Sequence, residues 1–367
     1  MHIPDGYLSL STCAVTYAAA VPFWTVALRR VKRLLNTRLV PLLAVFSAFS
    51  FVIMMFNLPL PGGTTGHAVG VGIAAVVLGP WAAMLAISIA LSIQAVFFGD
   101  GGITALGANC FNMAVVGSLV AYGVYRLIAG RTAIDSPRRV IAAALAGYIA
   151  INIAALLTAI EFGIQPILFH DAAGTPLYAP YPLHIAIPAM MLGHLGFAGL
   201  AEAIVSGGLV AYLQRAEPTL LRLTAPGAPE LNAAAVHAVT AKGGWLTTRM
   251  LWGTVAVLMI LTPLGLLAAG VAWGEWSAED FATPEMRQQI MEASGNQPPP
   301  EQAPAGLERL ASLWTAPLPD YAPAFIRSPT VGYIFSAMVG TGLIILFFLA
   351  VGWLTDKVRS LTTTMTG

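Results

Sequence analysis

Nine apolar stretches divide this chain, and they constrain its fold more than any other feature. They run near 8–28, 39–57, 68–79, 81–98, 103–128, 140–160, 185–213, 248–272 and 329–354. A hydrocarbon core about 30 Å thick is crossed by roughly 20 residues of helix, and most of these runs reach or approach that length. Composition agrees, at 57% hydrophobic and 10% charged, against roughly 25% charged in an ordinary soluble domain. The expected fold is an all-α, polytopic membrane helical bundle, with a seven-span core followed by two C-terminal spans. The third span is short, and Gly79-Pro80 separates it from the fourth, so those two boundaries are the loosest. The first basic residues follow the first apolar run instead of preceding it, so no signal-peptide pattern is read.

Basic residues set the expected orientation. With the N-terminus outside and nine spans crossed, the C-terminus lies inside. Every Lys and Arg except Arg287, Arg309 and Arg327 then falls in an inner segment, as the positive-inside rule requires. The net charge of +1 conceals this asymmetry and gives no sign of nucleic-acid binding. Residues 1–215 form the expected seven-span unit. Residues 216–246 read as a cytoplasmic linker punctuated by Pro218, Pro226 and Pro229, with His237 inside it. Residues 247–367 read as a two-span accessory unit whose extracytoplasmic loop, 273–327, is rich in Pro and acids. That composition predicts a mobile loop with a short helix near 281–293. Cys13 and Cys110 lie in apolar runs and read as packing residues.

The N-terminus carries the clearest chemistry. A histidine directly after a free amine puts three nitrogens within chelating reach of one cation: the Met1 amine, the His2 backbone nitrogen once deprotonated, and a ring nitrogen of His2. The two small chelate rings share the amide nitrogen and hold the donors nearly coplanar. A fourth in-plane nitrogen completes the square that Ni(II) or Cu(II) adopts with nitrogen ligands. Pro4-Asp5-Gly6 reads as a tight turn folding the terminus back. Taken alone, the same residues also fit an ordinary chain start with a surface histidine. The candidate fourth donor is His67, after Asn57-Leu58-Pro59-Leu60-Pro61-Gly62-Gly63-Thr64-Thr65-Gly66, at the outer end of a span with Thr65 as N-cap. Its bland reading is a capping or headgroup-contacting histidine.

A third outer element supplies Gln94, Asp100, Asn109 and Asn112. Polar side chains at membrane depth generally face the bundle and find partners. Asn109 and Asn112 share a helix face. They either orient the histidine rings from behind or tie helices together. Asp100 either offsets positive charge at the site or caps the helix beginning near 103. His194 and Glu202 lie about two turns apart on one face, as a functional pair or as bonds between helices. His170-Asp171 reads as a solvated loop, His184 as interfacial, and Met54-Met55 and Met190-Met191 as packing.

Met1-His2-Ile3-Pro4-Asp5-Gly6, Pro61-Gly62-Gly63-Thr64-Thr65-Gly66-His67 and Phe98-Gly99-Asp100-Gly101-Gly102…Leu106-Gly107-Ala108-Asn109…Phe111-Asn112-Met113 resemble the CbiM/NikM family. These are substrate-capturing membrane components of energy-coupling-factor (ECF-type ABC) transporters for cobalt and nickel. The resemblance spans roughly residues 1–215, and His194 with Glu202 is similar to a further pattern of the family. It implies metal ligands at Met1, His2 and His67. Leu266-Leu267-Ala268-Ala269-Gly270 running into Trp273-Gly274-Glu275-Trp276 resembles the two-helix NikN-like accessory part, fused as in nickel-type members.

The chain has no G-x-x-x-x-G-K-[ST] phosphate loop, since Lys32, Lys242 and Lys357 all lack that context. The resemblance therefore implies a transmembrane coupling subunit and cytoplasmic ATPase subunits as partners, in a prokaryotic inner membrane. High-affinity nickel uptake is the leading expectation, and cobalt uptake by the same mechanism the alternative. No cofactor is expected, the divalent metal being cargo. An intramembrane metallohydrolase built on histidines and Glu202 is the rival from another class, but H-E-x-x-H is absent. A metal-responsive sensor would need an output domain larger than 216–246.

Overall fold

The computed structural model describes residues 1–34, 39–61, 63–222, 224–229, 243–268 and 270–365. Most of the expected linker, with His237, lies outside the described residues. The bundle is helical throughout. The helices are α1 (Leu10–Leu34), α2 (Leu39–Met54), α3 (Val71–Leu78), α4 (Pro80–Ile93), α5 (Leu106–Asn109), α6 (Gly117–Ala129), α7 (Pro137–Gly163) and the short α8 (Gln165–Leu168). After them come α9 (Leu183–Gly193), α10 (Gly199–Ala216), the short α11 (Pro218–Arg222), α12 (Gly243–Leu261), α13 (Pro284–Ala293), α14 (Ala305–Leu310) and α15 (Pro329–Met365). Among the described residues, seven helical segments are long and apolar enough to cross a membrane: Leu10–Lys32, Pro80–Phe98, Leu106–Ala129, Pro137–Leu168, Leu183–Ala216, Arg249–Leu267 and Pro329–Leu354.

The second and third expected spans are shorter than the pattern predicted. Helix α2 has 16 residues, and α3 has 8, about 12 Å of helix at 1.5 Å per residue. The backbone from His67 to Gly70 stays irregular. Gly70 sits at φ 75°, and a buried carboxylate takes amides that helix would otherwise use. Gly79 at φ 77° and Pro80 then end α3 and start α4. Irregular backbone at this depth is tolerated when it is buried in protein, and Val71 to Val77 are all buried. A Cβ on Gly72 would lie 2.7 Å from the Gly147 Cα and closer still to Ser206. Small residues thus let α3 sit deep against α7 and α10.

Three helices pass through π-helical turns: Gln94–Phe98 after α4, Cys110–Val116 between α5 and α6, and His194–Ala198 between α9 and α10. Each turn carries one of the polar residues singled out above, Gln94, Asn112 or His194, and such turns recur at functional sites. A two-stranded hairpin pairs β1 (Leu58–Leu60) with β2 (Thr64–Gly66), Leu58 opposite Gly66. Cys13 and Cys110 are free and buried.

The outer segment between α12 and α15 departs from expectation. A helix does form, at Pro284–Ala293, and the segment packs on the first unit instead of standing free in solvent. It buries Trp273, Trp276, Phe281, Ile290, Leu307 and Tyr321. Its rings pack on the first unit, Trp273 against Phe162 and Tyr181, and Trp276 against Tyr181. Acid and Pro content concealed these anchors, whose apolar partners lie in the other half of the chain.

Candidate metal centre

The terminal arm threads inward beneath the outer loops. Met1, His2 and Ile3 are buried. The Ile3 N–H donates to Asn109 Oδ1 at 2.8 Å, and its carbonyl accepts from Gly102 N–H at 2.8 Å and Asn109 Nδ2 at 3.1 Å. The expected turn is present, with Gly6 at φ 89° and the Tyr7 N–H on the Pro4 carbonyl at 3.4 Å. The Asp5 carboxylate accepts the N–H groups of Ile103 and Thr104 at 3.0 and 2.7 Å, and the Thr104 hydroxyl as well. A Cβ on Gly102 would lie 2.3 Å from the Asp5 nitrogen, so only glycine admits the arm there.

Two imidazoles meet at the end of the arm. The His2 and His67 rings stack at 4.9 Å between centroids and 25° between planes. His2 Nδ1 contacts Asp100 Oδ1 at 2.6 Å, and His67 Nδ1 lies 3.1 Å from the Ala68 carbonyl. The Nε2 atoms of both rings are buried without a partner. An unsatisfied buried polar group costs about 1–3 kcal/mol, so two in adjacent rings make these rings candidates for holding a ligand. The Met1 amine donates to Glu275 Oε1 at 2.9 Å. Burial, then the neighbouring His2 and the terminal amine, holds the His67 ring well below its ordinary pKa, leaving it neutral and able to donate a lone pair. Burial pushes the Asp100 carboxyl upward, but the charge and hydrogen bond of His2, with His67 and Tyr321, outweigh it and keep Asp100 ionised. Asp100 also accepts from the Tyr321 hydroxyl at 2.6 Å and Gln94 Nε2 at 3.2 Å.

The remaining sequence-selected residues divide. Asn109 holds the arm, whereas Asn112 donates to Thr158 Oγ1 at 3.2 Å and Glu161 Oε2 at 2.8 Å, tying helices together. Asn57 is half-buried before the hairpin, and among the described residues its side chain forms no hydrogen bond with either ring. His194 and Glu202 do not pair. His194 Nδ1 lies 2.8 Å from the Met190 carbonyl of its own helix. Glu202 is fully buried and accepts the N–H groups of Val69 and Gly70 at 2.8 Å and of Gly72 at 3.0 Å, with the Ser206 hydroxyl at 3.3 Å. Anions are favoured at a helix N-terminus, and this one fixes the backbone two residues beyond His67. Helical spacing grouped the pair on one face, but α9 and α10 are separated by the π turn that starts at His194. His170 and Asp171 are exposed in their loop, as expected.

Sequence reasoning did not assign roles to Glu275 and Tyr321. Glu275 stands between two tryptophans, the one available signal, but its partner is 274 residues away. Tyr321 stacks on Phe98 at 4.8 Å. Among the described residues no three His, Cys, Asp or Glu side chains are grouped to hold an ion. What gathers instead is two imidazoles and a terminal amine.

A polytopic helical membrane protein with a buried, nitrogen-rich site beneath a folded outer segment is the class that these features define. Residues 2–220 match the family described as the cobalt uptake substrate-specific transmembrane region, CbiM, and residues 247–357 match the PDGLE domain. The chain belongs to the CbiM family and carries a C-terminal NikN-like part. It is 59% identical over 346 residues to the fused nickel transport protein NikMN of Rhodobacter capsulatus, covering 94% of this chain and 95% of the relative. It is 40% identical over 348 residues to a probable fused nickel transport protein, LarMN, of Lactiplantibacillus plantarum, covering 94% and 96%. A crystal structure of a transition metal transporter aligns with TM-score 0.56 at 54% identity, covering 61% of this chain and 98% of that one. The chain is thus a membrane transport component rather than an enzyme, and nothing supports the metallohydrolase alternative.

Proposed function

We propose that this chain captures nickel for uptake, with the Met1 amine, the His2 amide and ring nitrogens, and His67 Nε2 as its four donors. The observation that carries the reading is the stacking of the buried His2 and His67 rings, with His67 Nε2 unpartnered and His2 next in the chain to the terminal amine. A small chelate ring with residue 2's own amide nitrogen requires Nδ1, which Asp100 engages without metal. Capture therefore involves exchanging the Asp100 contact for the ion, through a turn of the ring about Cβ–Cγ. Asp100 then remains beside the cation as a charge partner, supported by Gln94 and Tyr321. Four nitrogens in a plane suit Ni(II), and the full-length relatives named for nickel favour it over cobalt.

Around this site we read two units, 1–215 and 247–367, joined by the linker 216–246. The basic residues favour an extracytoplasmic N-terminus and a cytoplasmic C-terminus. The missing phosphate loop calls for ATPase and coupling subunits as partners. Protein purified from cells with a C-terminal tag and no added metal should contain about one nickel per chain by mass spectrometry. Cobalt in its place supports the alternative cargo, and absence of both from protein that also fails to bind either in titration overturns the reading.

A further inference from the structure

The Met1 amine and Glu275 carboxylate are 2.9 Å apart, with side chains 1% and 22% exposed. Glu275 is therefore the outward edge of an otherwise buried terminus. The turn that presents it is rigidly built. The Glu275 N–H donates to the Ala272 carbonyl at 3.0 Å, and Trp273 Nε1 donates to Ser294 Oγ at 3.1 Å. Gly274, at φ 80°, lies so near Phe162 that a Cβ would be 2.5 Å from its ring. Next in sequence, the Trp276 carbonyl accepts the Tyr7 hydroxyl at 2.8 Å. The accessory unit thus grips the arm at residue 1 and again at residue 7.

We propose that Glu275 is a positioning residue for metal capture: its carboxylate aims the Met1 amine at the two imidazoles, so that the four-nitrogen site is complete only while the outer segment is seated. This rests on the donor set proposed above. The Met1 ammonium gives up one proton to solvent when it binds a metal and keeps two N–H bonds, so Glu275 can accept from it before and after capture. An anionic acceptor behind a ligand both orients it and raises its donor strength, typically worth 10–100-fold in metal affinity. The acid between two tryptophans then has a use that packing alone does not require.

The test is nickel titration of the full chain with a C-terminal tag, comparing wild type, Glu275→Ala, Glu275→Gln and, as a control on the donor set, His67→Ala. Glu275→Ala should weaken binding about tenfold. Glu275→Gln, which keeps an acceptor but loses its charge, should weaken it about threefold, since charge-assisted hydrogen bonds are roughly twice as strong as neutral ones. At saturating nickel both should show the wild-type ligand-field band, because the four donors remain. A merely structural role would instead lower metal-free thermal stability without a selective loss of affinity. Wild-type affinity in both Glu275 variants, with His67→Ala impaired, overturns the proposal and leaves the donor set standing. Wild-type affinity in His67→Ala overturns the donor set itself. Should Glu275→Ala fail to fold, Glu275→Gln decides alone.

Discussion

His67 and the Met1–His2 arm reach the same place by opposite means. His67 is held from within the bundle. Glu202, on α10, binds the amides of Val69, Gly70 and Gly72, just beyond His67, and the half-helix α3 that follows is buried on every side. The arm is held from without, by Asn109, by the Gly102 backbone, and by a carboxylate and a carbonyl of the outer segment. Charged hydrogen bonds are worth about 1.5–3 kcal/mol each. The three that Glu202 accepts are fully buried, whereas the three that Asp5 accepts from Ile103 and Thr104 are only partly so, which makes the His67 side the harder to disturb. A site with one anchored donor and one liftable arm can open without unravelling the bundle. The outer segment also touches the His67 hairpin, where the Thr65 N–H donates to the Val271 carbonyl at 3.2 Å. The same segment therefore contacts both sides of the site.

Substitutions should separate the anchored side from the liftable one. The largest effect is expected from Glu202→Ala, which leaves three buried N–H groups unpaired. Stability should fall by about 3 kcal/mol or more, read as a lowered unfolding midpoint in detergent, with nickel affinity falling too. If stability is unchanged, the anchored half of the comparison fails. Next, His67→Ala removes a donor while sparing the arm, and at least a tenfold loss of nickel affinity, about 1.4 kcal/mol, is expected. Asn109→Ala cuts both side-chain bonds to Ile3. Affinity should drop several-fold, about 1 kcal/mol, with the unfolding midpoint moving far less than in Glu202→Ala. The smallest effect is expected from Tyr321→Phe, which removes the hydroxyl that donates to Asp100 and accepts from Gln94 Nε2. A loss of about 0.5 kcal/mol is expected, near twofold in a titration. A tenfold loss there would place Tyr321 among the residues that organise the ring of His2.

The sequence disclosed whatever was local. Long apolar runs announced the helices, and a histidine beside the terminal amine singled out the arm that the structure buries. The turn at Pro4-Asp5-Gly6 was equally legible. Asn109 and Asp100 stood out as polar groups in apolar surroundings, but their roles depended on where the arm lies, and spacing does not encode that. Glu202 was visible as an intramembrane acid, yet its partners lie 130 to 133 residues away, so it was grouped with the wrong neighbour, His194. The third span misled because hydropathy does not reveal which backbone amides are captured by a side chain. Glu275 was one acid among many in a segment whose composition resembled a solvated loop. Its tryptophans are buried by residues of the other unit, so no window of sequence contained the reason for its order.

The central claim is that the Met1 amine itself binds the metal, and nickel titration of two versions of the full chain tests it most directly. One keeps the Met1 amine free and carries its tag after Gly367, and the other differs only by acetylation of the Met1 amine. The free version should bind tightly and give a yellow, diamagnetic complex, as square-planar d8 ions do. The acetylated version should lose high-affinity binding, because its terminal nitrogen has become an amide and no longer offers an amine lone pair. An exposed terminus that serves no purpose tolerates such an addition well. Equal affinities in the two versions would contradict the account.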